Sequence, residues 1–353
     1  MADKLSHLWP GVPLALGSAL LFGLTAPMSK LLLVEIDPQL LAGTLYLGAG
    51  LGLAISHLAW RALKSAPAEA PLRFRDLPWL AAIIVAGGLL GPLLLMLGLS
   101  ETSAANASLL LNLEGLATMA IAWIVFRENF DARLLTGAFA ILLGAVVLSW
   151  RGSSVALDQG ALLVAGACLC WGVDNNLTRK LSFANPVVIA GVKGLVAGGV
   201  NVAAAFYYRG AGAPADVLFS AAMLGFFGVG VSLVLFILAL RHLGTARTGA
   251  YFSLAPFIGA LAAVAVLHED FSVRLLGAGA LMALGVWLHL SERHDHEHVH
   301  DALEHDHAHV HDEHHRHAHE GPVVEPHAHR HRHEGLVHAH PHYPDLHHRH
   351  RHD

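Results

Sequence analysis

Ten stretches of about 20 apolar residues follow one another along this chain, and each is long enough to cross the hydrocarbon core of a bilayer as a helix. They run approximately over 11–33, 39–60, 77–99, 103–126, 132–150, 157–179, 185–208, 216–240, 245–267 and 272–291. A backbone in lipid must satisfy its own hydrogen bonds, so the expected fold is all-α and integral to the membrane. The chain is 54% hydrophobic and 14% charged, against about 25% charged for a soluble protein. The first run is too long for a cleaved leader and reads as a retained span. Cys168 and Cys170 lie two apart on one of these helices. They point to nearly opposite sides and read as small packing residues.

Short connections with turn signals, such as Ile36-Asp37-Pro38 and Ala184-Asn185-Pro186, join the runs. With the N-terminus inside, the inner segments carry eleven Lys and Arg and the outer ones four (Lys30, Arg151, Arg209 and Arg274). The positive-inside bias thus places the N-terminus in the cytoplasm. Ten spans, an even number, bring the C-terminus there too. The setting expected is a bacterial inner membrane.

The chain also repeats itself. The segment from Gly11 to Gly23 aligns without a gap on Gly160 to Gly172, so that Phe22 falls on Trp171 and Lys30 on Arg179. Phe126-Arg-Glu-Asn-Phe-Asp-Ala-Arg-Leu-Leu135 aligns on Leu267-His-Glu-Asp-Phe-Ser-Val-Arg-Leu-Leu276. Each repeat holds five spans, an odd number, so the second copy is inverted relative to the first. Inverted repeats are a recurrent plan of secondary transporters, with the substrate near the midplane between the halves. The expected units are 1–150, 151–291 and a tail, 292–353. Glu128 and Glu269, recurring at span ends, are expected to cap a helix or pair with Arg133 and Arg274.

These repeats carry a resemblance to the drug/metabolite transporter superfamily, and within it to EamA-type transporters. Its bearers are Phe22-Gly23 and Trp171-Gly172 in the first span of each half. With them go the run Ser253 to Glu269 in span nine and its counterpart Asn112 to Glu128 in span four. The resemblance covers 11–291 and implies a small-solute transporter, without naming the solute. One departure is Glu114-Gly115, where the second half has Ala255-Pro256; an acid stands where a helix kink is expected.

Ionisable side chains inside a span are costly, and they usually face a cavity or one another. Glu114 lies near the centre of span four, Asp174 within Asp174-Asn175-Asn176 of span six, and Lys193 in span seven. Asp174 and Lys193 lie at depths where they can meet, either as a structural pair or as part of a solute pathway. Glu114 has no evident partner at its depth, which suits a carboxyl for which proton and substrate compete. The candidate substrate or coupling residues are Glu114, Asp174, Asn175, Lys193, Asn112, Trp171 and Tyr46. The polar ones among them also serve helix–helix contact.

From residue 292 onward the chain carries 23 of its 28 histidines, in His-x-His repeats, with 13 acids and 6 arginines. Such a segment cannot bury an apolar core and is expected to be disordered. Imidazole beside carboxylate suits Zn²⁺, Ni²⁺, Co²⁺ or Cu²⁺. The candidate ligands are His294, His296, His298, His300, His305, His307, His309, His311, His314, His315, His317 and His319. The function expected is a secondary transporter, an exporter of a small metabolite, with a metal-binding regulatory or buffering tail. Open alternatives are export of a transition metal or a metal chelate, or a membrane-anchored metal store or sensor. No required cofactor, enzymatic nucleophile or phosphate loop is evident, and nothing points to nucleic acid. The partners expected are a small solute, lipid, divalent transition metals and, as an open alternative, a second copy of the chain.

Overall fold

The computed structural model describes residues 10–63, 74–126, 132–150, 158–178, 181, 185–243, 245–290, 297–300, 304–309, 327–332 and 336–339. Helix α1 is Gly11–Leu32 and α2 is Pro38–Leu63. A 3-10 turn then leads into α3 (Leu77–Ile83), a π-helix π1 (Ile84–Leu90) and α4 (Gly91–Glu101). Next come α5 (Ala104–Leu110), α6 (Leu113–Phe126) and α7 (Ala132–Ser149). The second half runs through α8 (Gln159–Thr178), α9 (Pro186–Arg209), α10 (Ala215–Gly225), π2 (Phe226–Val231) and α11 (Ser232–Leu243). It ends with α12 (Thr245–Phe252), α13 (Ala255–Val266) and α14 (Val273–Leu290).

Among the described residues, nine helical stretches are long and apolar enough to span a membrane. The remaining expected span, α8, has 20 residues; Asp174-Asn175-Asn176 dilutes its apolar character. The turn signals act as helix caps. The Asp37 carboxylate accepts from Gln39 N (2.8 Å) and Leu40 N (3.2 Å), and the Asn185 side chain from Val187 N and Val188 N. Each precedes a proline at the first helical position, where a missing N–H costs nothing. Helix α9 stops at Gly210, whose φ of 57° suits glycine and aims its N–H back at Phe206 O.

The kink in doubt at Glu114-Gly115 is present without a proline. Helix α5 ends at Leu110, Leu111 and Asn112 form a turn, and α6 begins at Leu113. The second half breaks likewise at Ser253-Leu254 ahead of Pro256.

The halves interleave. Helix α8 packs against α4 and α6 of the first half, while α1 packs against α11 and α13 of the second. Helices α2 and α9 cross between them, and α7 lies along α14. The α2–α9 crossing is backbone against backbone: a Cβ on Gly50 would lie 2.5 Å from Leu195 N, and one on Gly198 2.4 Å from Leu47 N. Small residues at such crossings give the close approach that packing in lipid relies on.

Of the two roles expected of Glu269, capping a helix or pairing with Arg274, it takes the first. Its carboxylate reaches the start of α5, accepting from Ala104 N (2.7 Å) and Ala105 N (2.8 Å). His268, in the left-handed region at φ 56°, turns the chain there, and Arg274 donates instead to Trp150 O. Glu128 lies outside the described residues. Losing a two-pronged cap between distant segments costs about 1–2 kcal/mol. Glu269→Ala is therefore expected to lower thermal stability in detergent by that amount; an unchanged melting profile would refute the cap's role.

In the tail, expected to be disordered, four short segments are described, and they are paired strands. Glu297–His300 (β1) pairs antiparallel with Leu336–Ala339 (β4), and Glu304–His309 (β2) with His327–Arg332 (β3). Two paired strands satisfy part of each other's backbone without an apolar core, and the His-x-His alternation has the strand period of two. His298, His300, His305, His307 and His309 lie on these strands; His294, His296, His311, His314, His315, His317 and His319 lie outside the described residues.

Candidate functional site

The site is organised around π1. In its wider turn, Gly91 N donates to Ala86 O. The next donor in that register would be residue 92, a proline with no N–H. The Gly87 carbonyl is thus left over, and two side chains supply it: Tyr46 Oη from α2 at 3.1 Å and Trp171 Nε1 from α8 at 3.0 Å. A third carbonyl of this segment, Leu89 O, accepts from Asn201 Nδ2 of α9 at 3.3 Å. A π turn beside a proline needs such donors in lipid.

Gly87 also makes room. A Cβ there would lie 2.0 Å from Asp174 Oδ2. The Asp174 carboxylate, 4% exposed, sits against this bare backbone and accepts from Lys193 Nζ at 2.7 Å. Thr178 Oγ1 donates to its other oxygen at 3.3 Å. Asp174 and Lys193 therefore meet, as their depths allow.

One helical step away, Glu114 has the partner that the sequence did not show. Asn175 Nδ2 donates to Glu114 Oε1 at 3.1 Å and lies equally near Thr118 Oγ1. Asn176 Nδ2 donates to Thr118 O and Gly172 O, tying α8 to α6. Glu114 is half-buried and Asn175 exposed, and no atom outside the local helix lies within 4 Å of where a Gly115 Cβ would be. A carboxylate and an amide thus stand open beside a buried ion pair.

Asn112 is not part of this group. Its amide donates to Leu109 O at 2.8 Å, closing the end of α5, and otherwise faces Met282 Sδ. Gly87, Thr118 and Asn176 join the group without having been singled out. The Gly91-Pro92 pair was the available signal.

The two halves repeat this architecture but not its chemistry. Gly228 in π2 would place a Cβ 2.2 Å from Thr25 Oγ1, as Gly87 would against Asp174. Gly23 lies against Ala255 and Ile258, and Gly172 against Ala117 and Thr118. These contacts pair Asp174, Asn175 and Asn176 with Thr25, Ala26 and Pro27, and Glu114 with Ala255. The α2–α9 crossing pairs Lys193 with Leu45. Glu114 from the first half and Asp174 and Lys193 from the second thus gather at one of two equivalent sites, and their counterparts at the other are uncharged.

At another end of the bundle, a pocket of about 430 Å³ is lined by Ser103, Asn106, His268, Glu269, Asp270 and Arg274. Its central carboxylate, Glu269, is already engaged by α5. Among the described side chains no three or more His, Cys, Asp or Glu gather closely enough to hold a metal ion.

Such a bundle, with a charged group enclosed by apolar helices, is a multi-pass membrane protein built for small molecules. The chain belongs to the EamA-like transporter family, which it matches over residues 9–150 and 158–291. It is 30% identical over 287 residues to an uncharacterized transporter of Methanothermobacter thermautotrophicus, covering 77% of this chain and 83% of that one. It is 22% identical over 203 residues to the uncharacterized transporter YyaM of Bacillus subtilis, covering 55% and 66% of the two chains. A crystal structure at 19% identity superposes with a TM-score of 0.56, covering 79% of this chain and 95% of the other, and shares the fold.

Proposed function

We propose that this transporter moves a small charged or zwitterionic metabolite outward by alternating access between two inverted five-helix halves, α8 serving as the tenth span. The solute binds at Glu114, Asn175, Asp174 and Lys193, with Trp171 and Tyr46 framing the site. Glu114 couples the movement to protons, taking one up when solute leaves. The tail buffers or senses divalent transition metal. Both termini lie in the cytoplasm of a bacterial inner membrane, in keeping with the bias of basic residues.

The observation that carries this reading is the confinement of charge to one of two equivalent sites. The fold accommodates Thr25, Leu45 and Ala255 at the matching positions, so the charges answer to something besides packing. A carboxylate and an ammonium within one group suit a solute bearing both signs. The absence of a comparable histidine cluster among the described membrane side chains favours a metabolite over a bare metal ion as cargo.

The test uses proteoliposomes with a trapped pH indicator, screened against amino acids and related zwitterions. A solute that drives proton flux through the parent protein identifies the cargo class. Glu114→Gln is expected to insert normally and to reduce that flux to the level of empty liposomes. Undiminished proton-driven transport by Glu114→Gln would remove the coupling role.

A further inference from the structure

The backbone register of the tail sets its histidines opposite one another. In the β2–β3 ribbon His305 is the partner of His331, His307 of His329, and His309 of His327. Alternate residues of a strand share a face, so these three rungs occupy one face. The other face has Glu304 at the register position of Arg332, Asp306 at that of Arg330, and Ala308 at that of Ala328. Opposite charges on facing positions favour this pairing. A slip by one residue would set histidines against arginines and alanines and lose every His–His rung. The β1–β4 ribbon adds another, His298 with His338, and keeps the same register. Moving seven residues along from Glu297 to Glu304 moves the partner seven back, from Ala339 to Arg332.

We propose that this paired register makes the tail a metal-binding ladder, in which the His305/His331, His307/His329 and His309/His327 rungs hold divalent transition metal such as Zn²⁺. The proposal rests on the reading of the tail as metal-binding and replaces scattered sites with a defined one. Facing residues of an antiparallel pair have Cβ atoms about 4.5–5.5 Å apart. Rungs two residues apart are separated by about 7 Å. Two adjacent rungs therefore bring four histidine positions together on one face of the ribbon, the number of ligands a tetrahedral Zn²⁺ site takes. Half of these ligands, His327, His329 and His331, lie far along the chain from the other half. Metal uptake is expected to fall as the pH drops and the imidazoles protonate.

The experiment titrates Zn²⁺ into the full-length protein in detergent at pH 7.5 against a competing chromophoric chelator. H305A/H307A/H309A removes one side of every β2–β3 rung. H347A/H348A/H350A removes as many histidines elsewhere in the tail. The rung variant is expected to weaken the tightest class of sites by about tenfold or more, which corresponds to about 1.4 kcal/mol, and the other triple to leave that class unchanged. Reversing E304R/D306R is expected to weaken it as well, and adding R330E/R332E to restore it. Equal losses in the two triples, or no recovery on the double reversal, would overturn the ladder while leaving a metal-binding tail. Undiminished Zn²⁺ binding after deletion of residues 297–353 would overturn both.

Discussion

Lys193→Met is expected to destabilise the protein by about 3–5 kcal/mol, the usual cost of leaving one member of a buried ion pair uncompensated. Asp174 is buried against the Gly87 backbone, where little water can replace the lost ammonium. Among the described residues Thr178 remains as a donor to it, at 3.3 Å. Combining Lys193→Met with Asp174→Asn removes both charges and is expected to recover most of the loss, because neutral replacements of a buried pair are often harmless. The molecule contains its own precedent: Thr25 and Leu45 occupy the equivalent places, and the fold closes around them. Unfolding in detergent, followed by tryptophan fluorescence, gives the stability of each variant. A Lys193→Met loss within about 1 kcal/mol would mean that the pair contributes little. The double variant also separates the two roles of the pair. A stable protein that no longer transports would place Asp174 and Lys193 in the solute path, whereas stable and active protein would make them structural.

Much of this was legible along the chain because lipid imposes strict rules. Spans announce themselves by length and apolarity, and Asp37-Pro38 and Asn185-Pro186 mark helix starts by the chemistry of the cap. The repeat was legible because Gly, Glu and Arg-Leu-Leu recur at fixed offsets. The meeting of Asp174 with Lys193 followed from their depth alone. Other features depended on contacts between distant segments. Nothing local to Glu114 announces Asn175, which comes from another span. An apolar run reads alike whether wound as α or π, so the carbonyl that Pro92 leaves for Tyr46 and Trp171 was not visible. That Glu269 would cap a helix was legible from its place at a span end, but that the helix is α5 was not, because α5 comes from the other half. In the tail, composition argued against a core, but a two-stranded ribbon needs none. Its period-two histidines were read for their chemistry and not for their geometry.

The second large effect is expected where backbone meets backbone. Gly225 closes α10 just before π2, and a Cβ there would lie 1.9 Å from Leu45 O and 2.6 Å from Leu45 C. No rotamer change relieves a clash with a carbonyl, so α2 and α10 must separate by about 1 Å or more to admit a methyl group. Gly48 meets Ala222 O in the same way on the next turn of α2, and another side of α2 is held against α9 where Gly50 meets Gly194 and Gly43 meets Gly198. The shift therefore cannot be absorbed by α2 alone. Overpacking of a filled interior costs about 1–3 kcal/mol, and Gly225→Ala is expected at or above the top of that range. Gly199, in contrast, has open space within 4 Å of where its Cβ would be, among the described residues outside its own helix. Gly199→Ala is expected to stabilise α9 by up to about 1 kcal/mol through helix propensity. Melting of the two variants in the same detergent compares them directly. Similar stabilities would show that the α2–α10 contact is soft enough to yield. A large gap would identify Leu45 as a pivot pressed between helices, opposite in the repeat to the lysine that holds Asp174.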